Sequence, residues 1–261
     1  MIDLAIPQLI YEIIQNVRAR HPDRPALVGV SGAQGSGKST ICGLLEASNR
    51  PRLAHFSMDD VYLPRAAREE RARLHGPLFG VRGPPGTHDL TLAGGLIARL
   101  GKPLPTPLPR FDKAADDRAP EATWPVYQGP ADAILVDGWC LGALPSADID
   151  TPLNAVEAGD VDGYWRQSVQ TALEGRYAAF FNAFDAIVHL QAPSWEIVRA
   201  WRGQQEEQLL GRPLSIPEHA ALDRFVMHYE RVTRDMLAGR RMAGWVVHLD
   251  EARNVVRVEE R

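Results

Sequence analysis

Gly32-Ala33-Gln34-Gly35-Ser36-Gly37-Lys38-Ser39 satisfies every fixed position of G-x-x-x-x-G-K-[ST]. A chain of average composition and this length matches that pattern by chance about once in a hundred. The flanks sharpen it. Residues 26–31, ALVGVS, form a short β-rich run that leads into Gly32, and a helix is expected from Lys38 with Ile41, Leu44 and Leu45 on its apolar side. A phosphate-binding P-loop stands at such a strand-to-helix turn. Its glycines let backbone N–H groups converge on phosphate oxygens, and the helix N-terminus adds favourable partial charge. Residues Gly32, Ala33, Gln34, Gly35, Ser36, Gly37, Lys38, Ser39 and Thr40 are therefore the expected ATP cradle. Lys38 is placed to reach the β- and γ-phosphates, and Ser39 to hold Mg²⁺.

A P-loop needs a carboxylate beside the metal, at the end of a neighbouring buried strand. Asp137 in Ile134-Leu135-Val136-Asp137-Gly138 meets that description. The strand expected at 53–57, LAHFS, runs into Ser57-Met58-Asp59-Asp60-Val61-Tyr62. A kinase of small molecules needs a base for its acceptor hydroxyl at that place, facing the γ-phosphate. Asp59 is the expected general base, and Asp60 the residue that orients substrate or metal. A guanine-nucleotide switch would carry N-K-x-D, and no asparagine here begins one. A motor of the AAA type would normally be longer and carry further motifs.

Outside these motifs, helical spacing is expected over 3–20, 64–75, 161–184, 194–210 and 217–238, and strands over 131–137, 185–190 and 245–249, the last in the chain. Short apolar strands alternating with helices indicate a parallel sheet covered on both faces. The expected fold is α/β: one domain over 1–261, three layers, a mainly parallel five-stranded sheet. Residues 76–130 stand apart, with ten prolines between Pro77 and Pro130 and the aromatic residues Phe79, Phe111, Trp124 and Tyr127. So long a connection in a compact domain is usually functional. The aromatics argue for an ordered, ligand-facing, substrate-binding insert. Arg65, Arg68, Arg71 and Arg73 read as one solvated helix with Glu69 and Glu70.

Of 261 residues, 29 are Lys or Arg and 33 are Asp or Glu, for a net charge of −4. That balance argues against a nucleic-acid-coating protein. Cys42 and Cys140 have no C-x-x-C partner, which leaves a disulfide framework or structural zinc site unsupported; Cys42 reads as a small core residue. The N-terminal stretch lacks the basic leader of a signal peptide, and no run of 18 apolar residues suggests a membrane span. The expected setting is cytoplasmic, with no nucleic-acid or membrane partner. Monomer and homodimer both stay open.

At these residues the chain resembles the P-loop kinases related to uridine kinase, phosphoribulokinase and pantothenate kinase. It is more closely similar to the plant- and fungal-type D-glycerate 3-kinases and their bacterial relatives. The resemblance is carried in order by GAQGSGKST (32–40), SMDDVYL (57–63), RGPPGTHDL (82–90), LPRFDKAADDR (108–118), Trp124-Pro125, VDGWCLG (136–142), WRGQQE (201–206) and LDEARN (249–254). It implies transfer of the ATP γ-phosphoryl group to the 3-hydroxyl of D-glycerate, with ATP and Mg²⁺ as cofactors. It also implies a helical lid at about 194–238, from which Arg202 closes over the transfer. Three departures stand out. Relatives often have Glu at the position of Asp137, their D-K-S reads Asp112-Lys113-Ala114 here, and a glycine-containing run is shortened before Asp117-Arg118.

A small anionic acceptor calls for Arg or Lys to bind its carboxylate. Arg82, Arg110, Lys113 and Arg118 lie in the insert; His88 and Asp89 add groups suited to hydroxyls. Together with Asp60, Tyr62 and Asp112 they form the expected substrate site. The alternatives are the same chemistry on a nucleoside, pantothenate or another small hydroxy compound, and an ATP-binding regulatory module without turnover. Trp195 and Trp201 read as packing residues, and the adenine base is expected near 250–254.

Overall fold

A computed structural model describes residues 5–48 and 51–261. The first two residues of the helix expected at 3–20 lie outside these. What remains is α1 (Ala5–Arg20), which buries Ile6, Ile10, Ile13, Ile14 and Val17 on one face. Strand β1 (Ala26–Gly32) is buried along its whole length, which suits the central strand of a sheet covered on both sides. Helix α2 (Lys38–Ser48) follows the P-loop, and β2 (Leu53–Ser57) follows α2. A single 3₁₀ turn, Met58–Val61, leads to α3 (Arg65–His75).

The insert is more regular than its prolines suggest. It contains α4 (Leu90–Leu100), capped by Asp89, whose carboxylate accepts from the Leu92 N–H. Leu90, Ala93, Leu96 and Leu100 bury the inner face of α4, and the prolines lie outside it. Two short ribbons complete the insert. One pairs β3 (Pro105–Pro107) with β6 (Val126–Gln128), the other β4 (Phe111–Asp112) with β5 (Asp117–Arg118). Strand β7 (Ala133–Gly138) returns the chain to the core. The helical stretch expected over 161–184 is α6 (Tyr164–Ala172) and α7 (Ala178–Phe181), joined through a π turn at Leu173–Tyr177, and a short α5 (Ala155–Ala158) precedes it. Then come β8 (Ala186–Gln191), α8 (Trp195–Leu210), α9 (Ile216–Leu237), β9 (Trp245–Leu249) and β10 (Val255–Glu260).

The sheet runs β10-β9-β8-β1-β7-β2. Five strands are parallel as expected, and β10 adds a sixth, antiparallel to β9. Its residues, VVRVEE, are mostly exposed and half charged, which suits an edge strand and weakens its apolar signature. Alternation along β1 sends Val28 and Val30 into a core shared with α1, α2 and α8, and Leu27 into a second core with α4 and α9. Those two cores make the three layers. The chain leaves β1 for β2 on one side, then crosses to β8 on the other. The crevice opens at the carboxyl ends of the strands, where α/β sheets bind ligands.

One expectation about the surface fails. Arg68 is 2% exposed, and its guanidinium donates to the carbonyls of Leu63, Gly80 and Asp116 and pairs with the Asp116 carboxylate. Arg71 donates to the Gly86 carbonyl. Two arginines of α3 therefore hold the insert in place. Helical spacing shows only that they share a helix, and the partners that bury them come from distant loops. Among the described residues no helix is long and apolar enough to cross a membrane.

Candidate active site

The cleft at the strand ends is lined by Gln34, Gly35, Lys38 and Ser39 from the P-loop; Asp59 and Tyr62 after β2; Arg82 and Lys113 from the insert; Asp137, Gly138 and Trp139 at the end of β7; Arg202, Gln205 and Leu209 on α8; and Phe225 and Tyr229 on α9. Six segments distant in sequence thus meet around the P-loop.

On the phosphate side, Lys38 is the first residue of α2 and is buried, its ammonium donating to the Ala33 carbonyl at 2.9 Å. Burial pulls its pKa below the ordinary lysine value, against the carboxylates of Asp137 and Asp59, which favour the charge. Gly35 sits at φ +74°, and a Cβ there would stand 2.6 Å from Cβ of Trp201. Only glycine lets the loop pass so close to α8. The turn between β9 and β10 clamps the loop from outside. Arg253 donates to the Gly35 carbonyl at 2.6 Å, lies 4.7 Å from the Trp201 ring centroid and reaches Gln204, while the Trp201 indole N–H donates to the Glu251 carbonyl. Trp201 is thus the packing residue its sequence suggests, and residues 250–254 support the loop. Cys42 is fully buried one turn further along α2.

Asp137 is 2% exposed at the end of β7. One of its oxygens, Oδ1, accepts from Ser39 Oγ at 3.2 Å and Ser57 Oγ at 3.1 Å; the other, Oδ2, lies 2.7 Å from His55 Nε2. The register places Ser57 opposite Asp137 and His55 opposite Leu135, all on the α2 side of the sheet. The oxygen donors of Ser39 and Asp137 suit a hard divalent cation such as Mg²⁺. The tandem of Ser57 and His55 is a feature that sequence reading missed. Alternation along LAHFS was the available signal, since it puts His55 and Ser57 on one face.

Elsewhere in the cleft, Asp59 Oδ1 accepts from the Tyr62 hydroxyl at 2.7 Å, and Oδ2 from Lys113 Nζ at 2.8 Å. Burial raises the Asp59 pKa, but the Lys113 ammonium and Tyr62 hydroxyl more than offset it and hold the carboxyl well below the usual range. Arg82 reaches the cleft and pairs with Asp116. Arg202 lines the cleft from α8, its guanidinium donating to Glu206 Oε2 at 2.6 Å.

The remaining expected substrate residues do not line the cleft. Asp60 closes a capping box on Ser57 and pairs with Arg110 at 3.2 Å, so the two acidic neighbours divide between cleft and scaffold. Arg118 donates to the Tyr62 carbonyl and the Asp89 carboxylate. Asp112 accepts from the backbone N–H groups of Ala114 and Ala115. His88 is 4% exposed under Tyr62, 2.6 Å from the Tyr177 hydroxyl through Nδ1. These groups build the walls. None of the insert aromatics lines the cleft. The aromatic residues there are Tyr62, Trp139, Phe225 and Tyr229, and Trp139 and Tyr229 are tied by their polar edges to the carbonyls of Gly83 and Arg82.

No protein-family model matches the chain. The chloroplastic D-glycerate 3-kinase of Arabidopsis thaliana is 33% identical over 197 residues, which cover 70% of this chain and 41% of that protein. This chain thus spans about two fifths of the plant relative's length. The Schizosaccharomyces pombe protein named uncharacterized kinase mug58 is 30% identical over 224 residues, 79% of each chain. The solved structure of D-glycerate 3-kinase from Cryptococcus neoformans var. grubii superposes with a TM-score of 0.79 over 98% of this chain and 99% of that one, at 23% identity, which shows the shared fold. With its P-loop and these relatives, the chain is similar to the D-glycerate 3-kinases and belongs to the family of P-loop kinases that includes the Schizosaccharomyces pombe kinase.

Proposed function

We propose that this kinase transfers the γ-phosphoryl group of Mg·ATP to a hydroxyl of a small hydroxy acid, D-glycerate, giving 3-phosphoglycerate. The observation that carries this reading is the placement of Asp59 and Lys113 across one cleft from Lys38 and Ser39. The cradle takes the nucleotide phosphates, and Lys38 sets its charge against them. Mg²⁺ held by Ser39 and Asp137 would supply neutralisation of the phosphate oxygens. Tyr62 fixes one oxygen of Asp59, leaving the other toward the acceptor.

Without acceptor that second oxygen holds Lys113. An acceptor carboxylate competes for Lys113 and Arg82, and in taking Lys113 it frees Asp59 to accept the hydroxyl proton. The acceptor oxygen forms its bond to the γ-phosphorus as the bond to the β-bridging oxygen breaks. Little base strength is needed for a loose phosphoryl-transfer transition state, so a low carboxylate pKa is compatible with orienting the hydroxyl and collecting its proton late. Arg202, released from Glu206, faces the oxygens on which charge spreads. The cations of the acceptor side favour an acid. The name of the plant relative supplies the particular hydroxy acid.

The test is ADP release by purified protein with Mg·ATP, with and without D-glycerate, and identification of the phosphorylated hydroxyl. Glycerate-dependent turnover yielding 3-phosphoglycerate, abolished in Asp59→Asn with ATP binding retained, is the expected result. Absence of glycerate stimulation in protein that binds Mg·ATP would overturn the choice of acceptor. Absence of transfer to nucleosides, pantothenate and other hydroxy compounds as well would favour a regulatory nucleotide-binding module.

A further inference from the structure

Beneath the P-loop, three potential metal ligands from three different elements converge. Cys42 Sγ on α2, a ring nitrogen of His55 on β2 and a carboxylate oxygen of Asp137 on β7 all lie within 4.8 Å of one another. Cys42 stands three residues after Ser39, so it occupies the same face of α2 one turn deeper. His55 Nε2 already points at Asp137, 2.7 Å away. Its other nitrogen, Nδ1, lies 4.0 Å from the Glu46 carboxylate, the side on which metal-bound histidines usually have an acidic or carbonyl partner.

We propose that Cys42, His55 and Asp137 form a second cation site, selective for Zn²⁺ or a similar thiophilic ion, whose occupation shuts off the kinase. Tetrahedral zinc with thiolate, imidazole and carboxylate ligands needs ligand atoms roughly 3.3–3.7 Å apart, so side-chain adjustments of about 1 Å complete the site. Water fills the fourth position. Binding replaces the Cys42 S–H bond by a sulfur–metal bond and releases the proton to solvent. Mg²⁺ cannot compete here, because it requires octahedral oxygen coordination and a sulfur and an imidazole ligand do not provide it. The two sites share Asp137. A zinc ion drawing that carboxylate toward Cys42 and His55 takes it from Ser39, on which nucleotide-bound Mg²⁺ depends. This inhibitory consequence rests on the function proposed above, whereas the binding itself does not.

The protein has two cysteines, and both are buried and free. Wild type, Cys42→Ala, Cys42→Ser and Cys140→Ala are titrated with Co²⁺, Cd²⁺ and Zn²⁺ in excess Mg²⁺, following the thiolate-to-metal charge-transfer band. One equivalent is expected to bind in wild type and Cys140→Ala. Replacing Cys42 is expected to remove the band and weaken Zn²⁺ binding more than about 100-fold, beyond the loss that follows removal of an outer-shell partner. In the glycerate assay, Zn²⁺ is expected to abolish wild-type turnover, and Cys42→Ala to keep its Mg·ATP turnover while losing that sensitivity. No band in wild type, a band that survives in both Cys42 variants, or unchanged zinc inhibition in Cys42→Ala would overturn the proposal. Failure of turnover with every acceptor would instead count against the function, and the charge-transfer band would then decide the site by itself.

Discussion

His88 gives the protein an acid-side weakness whose size follows from its surroundings. The Tyr177 hydroxyl accepts from the backbone N–H groups of Gly86 and His88, so its own proton points at His88 Nδ1. Nδ1 is then the acceptor of a neutral imidazole, and the ring proton sits on Nε2, which is buried with no partner among the described residues. Burial drives the pKa from 6.5 down to about 4, with Asp59 opposing weakly. The folded state keeps His88 neutral where the unfolded chain protonates it. Stability from this group is therefore complete above pH 6.5 and is lost as the pH falls toward 4. At 1.36 kcal/mol per pH unit, a window of about 2.5 units corresponds to about 3 kcal/mol. The assay is urea unfolding of wild type and His88→Asn at intervals from pH 7 to 4. Asn places a polar atom near the position of Nδ1 and does not titrate. Other acidic and histidine groups contribute equally to both proteins, so the difference between the two curves isolates His88. Wild type is expected to lose about 3 kcal/mol more than the variant across the window. Parallel curves would refute the reasoning, as would a direct titration placing His88 near 6.5.

Three further outcomes test the architecture. Arg68→Met keeps the length of the side chain but removes the guanidinium donor of three carbonyls, while Asp116 keeps Arg82 as its partner; losing those hydrogen bonds should cost about 1–3 kcal/mol by chemical denaturation. Gly83 has φ +114°, and a Cβ there would stand 2.1 Å from the Tyr229 hydroxyl, so Gly83→Ala should lower the thermal midpoint and, by displacing Arg82, raise the acceptor KM more than the ATP KM. Arg202→Gln should reduce kcat by at least about 10²-fold, the scale of losing one transition-state donor, while nucleotide binding measured by calorimetry stays near wild type; a change confined to KM would assign Arg202 to ground-state binding.

The elements that the sequence discloses are those whose signal is local. The P-loop is an example, because its glycines, lysine and serine act within eight consecutive residues. The parallel sheet is another, since a buried strand such as AILVDG is apolar on both faces. Helix α4 was hidden by the prolines around it, although Asp89 as cap and the spacing of Leu90, Ala93, Leu96 and Leu100 mark it. Strand β10 was hidden because an edge strand with a solvated face has little need of apolar residues.

The P-loop motif, the carboxylate that closes β7 and the acidic pair after β2 are legible from residue order alone, because each follows from the order of residues along one strand and its turn. The sequence names Asp59 as the base and Asp60 as the orienting residue, but residue order does not show what surrounds either one. Tertiary structure alone decided that, by presenting one to Tyr62 and Lys113 in the cleft and the other to Arg110 and the Ser57 cap. The same holds for the arginines: Arg68 and Arg71 are interior braces and Arg65 and Arg73 solvated, though all four lie in one helix. A charged side chain reports its type locally, but its role is set by the counter-charge and burial it meets, and here those come from segments tens of residues away.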